Sequence, residues 1–313
     1  MPLRSLLRRG VSMLVIACAL ALLATLFNRL HPFFDSLSQF RMHFAVLLAA
    51  LFAIALLVGA RRAAIVEAAC LLVAMVATYP FIPGFASGAA FAQDGGPVLR
   101  VVQFNTRYDN SQTERAAQVI RDADADVILL QEVTDGPRSL VNLLRDAYPV
   151  QRRCGNARIG GATVISRLPV SPDNTIKCVR SSALSAIQLD VGGKAVTFAA
   201  YHGRWPWPYE QSWVIDRMSK SLEALPHPLV FAGDFNAAPW SEGVQRVARL
   251  TGTQPESGYR PTWLSQRVSD TLRPWFGLPI DHVMVSDELR IISVRRLPFA
   301  GSDHLPMVAD IAL

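Results

Sequence analysis

Six short strings of this sequence carry the side chains that hydrolytic chemistry uses. They are Phe104-Asn105-Thr106, Gln131-Glu132-Val133, Tyr201-His202-Gly203, Gly233-Asp234-Phe235-Asn236, Ile280-Asp281-His282 and Ser302-Asp303-His304. Carboxylate and amide oxygens bind hard divalent cations, and imidazoles and carboxylates move protons. Hydrolysis of a phosphate ester needs charge neutralisation, an activated water and help for the leaving group. The chemistry that these residue types can supply is therefore metal-assisted hydrolysis, phosphoester hydrolysis included.

The elements around these strings explain how distant residues could meet. Asn105, Glu132, His202 and Asp234 each follow an apolar run typical of a buried strand. Helical patterns at 114–123 and 211–225 separate some of these runs, while other strand-like runs are adjacent. This alternation predicts an α/β fold with mixed sheets. We expect the four side chains to lie at one edge, because open sheets expose their sites at strand ends.

In their order and spacing, the six strings resemble the endonuclease/exonuclease/phosphatase superfamily, the deoxyribonuclease-I-like phosphoesterases. The resemblance covers about residues 98–313, and the layout is also similar to bacterial membrane-anchored members, including those linked to glycopeptide-antibiotic resistance. It implies a two-sheet, four-layer α/β sandwich for the catalytic domain.

The resemblance also implies a metal site. Glu132 is the best single candidate ligand, and Asn105 and Asp303 are implied as its partners. Hard oxygen ligands of this kind suit Mg²⁺ or Mn²⁺. The sequence has no Cys/His cluster with zinc spacing.

Five residues are expected to form the catalytic group. Asp234 would orient or deprotonate the attacking water, and Asn236, two residues further along an extended segment, would donate to the phosphate. His304 would contact the phosphoryl group, and Asp281 would fix its tautomer. His202 would bind a phosphate oxygen. The sequence does not decide which histidine is the acid.

Two further residues are candidate substrate contacts. Arg107 stands where several related nucleases have an acidic second ligand, and it could pair with a substrate phosphate. Trp263, after Thr262, resembles a family element beside the active site that shapes the pocket. His282 is expected to be structural. The aromatic string 204–209 could meet a membrane interface, stack on bases, or pack under the helix that follows it.

The first 83 residues predict an all-α transmembrane region of three helices, at about 11–27, 43–60 and 63–82. Each run is about the length that crosses roughly 30 Å of hydrocarbon as a helix. A cleaved signal peptide is the alternative for the first run. Glu67 lies near one end of the third run, where we expect it to reach the membrane surface. Residues 84–97 are predicted to be a linker, and residues 98–313 the catalytic domain.

Charge sets the expected orientation. Arg8, Arg9, Arg61 and Arg62 lie on the cytoplasmic side if the N-terminus is inside, which leaves the 28–42 loop and the catalytic domain outside. The predicted location is the cytoplasmic (inner) membrane, with a periplasmic or extracellular catalytic domain. Of the net charge of +6, residues 1–97 contribute +4, so the catalytic domain has little excess positive charge for nucleic acid.

Cys154 and Cys178 are the two cysteines of the catalytic domain. An oxidising compartment would let them form a disulfide, and two separate buried thiols are the equal alternative.

These patterns predict a membrane-anchored, metal-dependent phosphoesterase whose partners are the lipid bilayer and a phosphorylated, lipid-linked substrate. The alternative is a membrane-anchored nuclease that cleaves DNA or RNA outside the cell. No obligate protein partner is evident in the sequence.

Overall fold

The computed structural model describes residues 3–81, 98–136, 138–154, 161–178, 183–256 and 258–313. The predicted linker at 84–97 lies outside the described residues. The described part consists of an N-terminal helical region and an α/β region.

The N-terminal region contains four helices: α1 (Leu3–Ala24), α2 (Pro32–Ser38), α3 (Arg41–Val58) and α4 (Arg61–Thr78). Helices α1, α3 and α4 pack on one another through buried apolar side chains such as Leu22, Leu48 and Ala74, while Leu57 is exposed. Gly59 ends α3 in the left-handed conformation (φ 72°), which glycine adopts without a steric penalty. The short helix α2 lies between the first two long helices and was not predicted.

Two of the described helical segments, Ser5–Phe27 and Arg41–Val58, are long and apolar enough to cross a membrane. A signal sequence near the N-terminus would meet the same criterion as the first segment. The third predicted span, 63–82, corresponds to α4, which contains three charged residues, Arg61, Arg62 and Glu67. The three-helix transmembrane region thus stays a prediction.

The expectation for Glu67 is wrong. Its side chain does not reach the outside of the bundle but is fully buried, and neither carboxylate oxygen has a hydrogen-bond partner among the described residues. The reason is packing: Glu67 shares the inward face of α4 with Ala63 and Cys70, and that face meets α1 and α3.

The α/β region contains two mixed sheets, which confirms the α/β sandwich predicted for the catalytic domain. Its strands are β1 (Val98–Asn105), β2 (Val127–Val133), β3 (Val150–Arg153), β4 (Gly161–Ser166), β5 (Leu184–Val191), β6 (Lys194–His202), β7 (Leu229–Asp234), β8 (Thr253–Pro255), β9 (Asp281–Ser286), β10 (Arg290–Arg296) and β11 (Met307–Ala312). One sheet has the order β10-β11-β1-β2-β4-β3, and the other has the order β5-β6-β7-β9-β8.

Helices cover the outer faces of both sheets. They are α5 (Thr113–Ala123), α6 (Leu140–Leu143), α7 (Gln211–Glu223) and α8 (Glu242–Thr251), and a further short helix, α9 (Arg273–Phe276), precedes β9. Helices α5 and α6 pack on the first sheet, and α7 and α8 pack on the second. Between the sheets lies an apolar core that includes Val101, Leu129 and Phe198. Burial of each such side chain contributes about 1.5–3 kcal/mol, so this core holds the two sheets face to face.

A disulfide between Cys154 and Cys178 joins the residue after β3 to the segment before β5. The two Cα atoms are 5.3 Å apart. Cys18 and Cys70, in the helical region, are free and buried.

Candidate active site

The carboxyl ends of two parallel strand pairs bring the candidate residues together. Strands β1 and β2 are parallel, with Asn105 opposite Gln131, and β6 and β7 are parallel, with His202 opposite Asp234. Asp281 begins β9 and lies opposite Asp234 in the antiparallel pair. The two sheets therefore present their functional side chains along one shared edge.

Asn105 joins the two sheets at this edge. Its Nδ2 donates to Glu132 Oε1 at 3.1 Å and to Asp234 Oδ2 at 2.9 Å, so one amide contacts a carboxylate from each sheet. Its Oδ1 accepts from the backbone N–H of Arg107 at 3.0 Å. Because Asn105 is buried, its amide fixes the spacing of the two carboxylates.

The backbone is irregular at Glu132. Its φ is 56°, in the left-handed region that non-glycine residues seldom adopt, and the pairing of β2 with β4 shifts register between Leu130 and Val133. A bulge of this kind redirects a side chain out of the strand's alternation. The Glu132 carboxylate accepts from the N–H of Tyr108 at 3.0 Å and stays partly exposed, as a ligand that meets substrate must.

His304 and Asp281 form a buried pair. His304 Nδ1 lies 2.8 Å from Asp281 Oδ2. Burial by itself would lower the pKa of His304, but Asp281 and Asp234 outweigh it and raise the pKa to about 10. Burial would raise the pKa of Asp281, but His304 and hydrogen bonds from Thr262 and Gln103 hold it below its ordinary value. At neutral pH, His304 is therefore a cation held by a carboxylate.

Asp234 occupies the centre of the site. Its Oδ2 lies 3.7 Å from His304 Nε2 and 3.8 Å from His202 Nε2, and its Oδ1 accepts from the N–H of Asn236 at 2.8 Å. Burial raises the pKa of Asp234 to about 7 in spite of the nearby His304 cation. A carboxylate with a pKa near neutrality is suited to act as a general base.

His202 differs from His304 in charge. Its Nε2 lies 3.7 Å from Glu132 Oε1, and burial lowers the pKa of the ring, an effect that the Glu132 carboxylate opposes. The site thus contains one cationic and one neutral imidazole at neutral pH. This difference separates the two histidines, which the sequence alone could not do.

Asn236 does not lie on an extended segment. Its φ is 51°, and its side-chain nitrogen, Nδ2, donates to the backbone oxygen of Gly203 at 2.9 Å. The extended geometry expected from the sequence is wrong, because the chain turns sharply after β7. A Cβ at Gly203 would lie 2.7 Å from Phe235 O, so this close approach of two loops requires glycine.

Asp303 and Trp263 lie beside one another at the margin of the site. Trp263 Nε1 donates to Asp303 Oδ2 at 3.1 Å, and the rings of Trp263 and Trp205 are in edge contact at 5.4 Å. Arg107 forms an ion pair with Asp109, which raises the pKa of the guanidinium. The Arg107 side chain is thus held by a carboxylate of the protein itself, and its contact with a substrate phosphate stays a prediction.

Two sets of residues could hold a cation. The ligand atoms of Asp234, Asp281 and His304 lie within 4.8 Å of one another. However, a metal ligand must be deprotonated, whereas His304 is held as a cation and Asp281 already accepts three hydrogen bonds. Glu132 has a partly exposed carboxylate, a hard oxygen ligand of the kind that Mg²⁺ or Mn²⁺ prefers, and its pairing with Asn105 and Asp303 around a cation stays a prediction.

Several positioning residues were not predicted. Gln103 donates to Asp281 Oδ1 at 2.8 Å, and its place two residues before Asn105 on the same strand face was a usable signal. Gln211 Nε2 donates to Arg204 O at 2.8 Å and Phe235 O at 2.9 Å, which ties the loop after His202 to the loop after Asp234. No feature of the sequence identifies Gln211. The Nε2 of His282 lies 2.7 Å from Ala237 O, a contact with the backbone rather than with a catalytic group.

Comparison with known proteins agrees with this fold. The sequence pattern of the Endonuclease/Exonuclease/phosphatase family matches residues 102–304. Among solved structures, the chain is similar to an endonuclease/exonuclease/phosphatase from Beutenbergia cavernae DSM 12333, with 20% identity over 69% of this chain and 72% of that chain and a TM-score of 0.53. It is similar to a family protein from Leptotrichia buccalis C-1013-b, with 15% identity over 69% of this chain and 100% of that chain and a TM-score of 0.51.

A third similar structure is a mutant of beta toxin from Staphylococcus aureus with bound magnesium ions. It has 15% identity over 68% of this chain and 99% of that chain, with a TM-score of 0.50. At these identities the three structures show a shared fold. A comparison with curated proteins found no match.

Proposed function

This chain belongs to the endonuclease/exonuclease/phosphatase family, and we propose that it is a membrane-anchored, divalent-metal-dependent phosphoesterase. Its substrate would be a phosphate or pyrophosphate ester, lipid-linked, at the outer face of the cytoplasmic membrane. One observation supports the proposal most strongly: the candidate side chains contact one another at a shared edge of the two sheets. They are Asn105, Glu132, Asp234, Asp281 and His304.

The proposed metal is Mg²⁺ or Mn²⁺, held by Glu132 with Asn105 and Asp303. When bound, it would neutralise charge on the phosphoryl oxygens. The bound magnesium of the similar beta toxin structure is consistent with such a site in this fold.

The protein's own residues would divide the remaining work. The Asp234 carboxylate would take the proton of the attacking water, because its raised pKa matches neutral conditions. His304, kept cationic by Asp281, would stabilise negative charge as it develops on the phosphoryl group. The neutral ring of His202, between Glu132 and Asp234, would contact a phosphate oxygen.

Two contacts support a membrane-bound substrate. The loop that follows His202 carries Trp205, which touches Trp263 beside the site, and Trp207, which touches Phe33 of α2 at 5.2 Å. Helix α2 connects the two apolar helices, so this loop runs from the site to one end of the helical bundle. Trp205 and Trp207 are both exposed, and tryptophan favours membrane–water interfaces.

The same contacts support the proposed orientation. Residues 28–40 connect α1 to α3 and pack against the catalytic domain, so both would lie on one side of the membrane. The arginines at 8, 9, 61 and 62 lie together at the opposite ends of the helices, which the positive-inside rule assigns to the cytoplasm.

A substrate panel would test the proposed function. Full-length protein in detergent would be assayed on a lipid pyrophosphate, a lipid monophosphate, plasmid DNA and a generic phosphodiester, with Mg²⁺ or with chelator. We expect Mg²⁺-dependent release of phosphate from a lipid substrate and none from the Glu132→Gln variant. Cleavage of DNA alone, with steep salt dependence, would instead support the nuclease alternative.

The location has its own test. A reporter fused after Leu313 should behave as external in intact cells. A cytoplasmic signal from the fusion would contradict the proposed orientation.

A further inference from the structure

The segment between the first two membrane helices contacts the loop that follows the proposed general base. We name residues 28–40 the outer segment, and we name residues 236–243, which include the first two residues of α8, the catalytic loop. Asn28 Nδ2 donates to Trp240 O at 2.9 Å, and Trp240 Nε1 donates to Ser38 O at 2.7 Å. The N–H of Ala238 donates to Gln39 Oε1. Side chains of the helical region thus satisfy polar groups of the catalytic domain about 200 positions away.

Asp35 provides the most specific of these contacts. Its carboxylate accepts from the backbone N–H of Glu242 at 2.7 Å and of Gly243 at 3.1 Å, the first two residues of α8. Ser241 Oγ accepts from the next N–H, that of Val244, at 3.2 Å. The first N–H groups of a helix have no partner within it, so Asp35 completes a cap that Ser241 alone leaves unfinished.

These contacts are buried, which distinguishes them from incidental surface pairing. Asp35 is 7% exposed, Gln39 is 5% exposed and Trp240 is 4% exposed. A buried donor that loses its partner costs more than an exposed one, which water can satisfy. By contrast, the ion pair of Arg29 with Glu242 at 3.3 Å involves an exposed arginine and is expected to contribute little.

The catalytic loop in turn is continuous with the active site. It begins at Asn236, whose N–H donates to Asp234, and Ala237 O contacts His282 Nε2 at 2.7 Å. Trp240 lies two residues before α8, and its ring packs against the Arg41 guanidinium. A shift of this loop would therefore move the N–H that holds the Asp234 carboxylate.

We propose that the outer segment positions the catalytic loop, with Asp35 and Gln39 as positioning residues, so that the helical region completes the active site as well as anchoring it. The kinetic test of this inference rests on the proposed phosphoesterase function, whereas the binding test does not. It predicts that the protein's turnover depends on side chains that never touch the substrate.

The kinetic test uses full-length protein in detergent and a small soluble phosphodiester, so that membrane access plays no part. Asp35→Ala and Gln39→Ala should each lower kcat on the order of 10-fold, with KM nearly unchanged, because a displaced loop misaligns Asp234. Asp35→Asn keeps an acceptor oxygen for the N–H groups of α8 and should restore part of the rate. Arg29→Ala, in the same segment, is the matched control and should behave as wild type.

A second test measures binding between the helical region and the catalytic domain, so it does not depend on activity and also serves for variants with impaired turnover. A protease site would be placed within 84–97 and cut, and the helical region would be captured by an N-terminal tag. In wild type, the 98–313 fragment should stay bound, and in the Asp35→Ala, Gln39→Ala double variant it should be released.

The outcomes separate the two claims. A wild-type protein that hydrolyses no phosphoester would refute the proposed function, while retention of the fragment would still support the contact. The inference would be overturned if wild type is active and the Asp35→Ala and Gln39→Ala variants are equally active. It would also be overturned if the wild-type fragment is released on cleavage.

Discussion

Two buried carboxylates in this molecule have different partners and different consequences. Asp281 lies in the active site beside the His304 cation, which with its other donors keeps the pKa of the carboxyl low. Asp35 lies where the outer segment meets α8, and its donors there are backbone N–H groups. Burial raises the pKa of Asp35, and the N–H groups of Glu242 and Gly243 offset that rise only in part.

This difference in partners distinguishes a carboxylate that takes part in the reaction from one that holds a structural element in place. A carboxylate beside a titratable ring can hold a proton in place for a reaction. A carboxylate bound by N–H groups that do not titrate can only fix the position of a helix. The following predictions use this contrast, from the largest expected effect to the smallest.

Removal of the proposed base should have the largest effect. Asp234→Asn keeps the shape of the side chain but cannot accept a proton, so we expect kcat to fall roughly 10³-fold. Steady-state kinetics of full-length protein would measure this loss, with a melting curve to confirm that the variant is folded. A variant that retains activity within a few-fold would remove Asp234 from the catalytic group.

The two buried carboxylates can be compared by the same substitution. Asp281→Asn should lower kcat roughly 10²-fold, because it leaves His304 without the charge that holds its proton. Asp35→Asn should lower kcat by less than about 10-fold, because an amide oxygen still accepts from one N–H of α8. Equal losses in the two variants would contradict the distinction between chemistry and positioning.

The His304 cation should also make stability depend on pH. The pKa of His304 is raised to about 10 in the folded protein, above the ordinary 6.5. Its contribution to the free energy of unfolding is thus complete below pH 6.5 and is lost as the pH rises through about 10. The slope is at most about 1.4 kcal/mol per pH unit.

Thermal melting in chelator, between pH 6.5 and 10, would measure this dependence. Wild type should lose stability over that range, and the His304→Gln variant should lose less. Parallel curves for the two proteins would show that His304 is not held as a cation.

The disulfide offers a change that touches neither region. Reduction of the Cys154–Cys178 bond should destabilise the catalytic domain by about 2–4 kcal/mol, because the bond constrains the unfolded chain. We expect a lower melting temperature in reductant and an unchanged kcat at ambient temperature. A Cys154→Ser variant should melt like the reduced protein and should not respond to reductant; unchanged melting of wild type would argue against the bond.

The sequence predicted the active-site edge better than its surroundings. Polar residues at strand ends are visible as breaks in apolar runs, so the residue pattern alone assigns Asn105, Glu132 and Asp234 to that edge. The bulge that redirects Glu132 and the turn at Asn236 depend on left-handed backbone conformations, which residue type does not predict. The charge states of His202 and His304 depend on burial and on neighbours from other strands.

The contact between the outer segment and the catalytic loop was invisible for another reason. Asp35 and Gln39 stand in the short segment between two apolar runs, where isolated polar residues are ordinary. Their importance comes from pairing with residues about 200 positions away, and no local pattern encodes that pairing. The burial of Glu67 was missed likewise, because it depends on which face of α4 meets its neighbours.

The central claim is that Glu132 holds a divalent cation that this active site needs for phosphoester hydrolysis. The most direct test is to titrate Mg²⁺ into chelator-treated, full-length protein and to measure hydrolysis of the best substrate from the panel, beside Glu132→Gln. We predict that wild-type activity rises from background to saturation with Mg²⁺ and that the variant stays near background at the same concentrations. Full activity in chelator, or a Glu132→Gln variant that responds to Mg²⁺ as wild type does, would contradict the account.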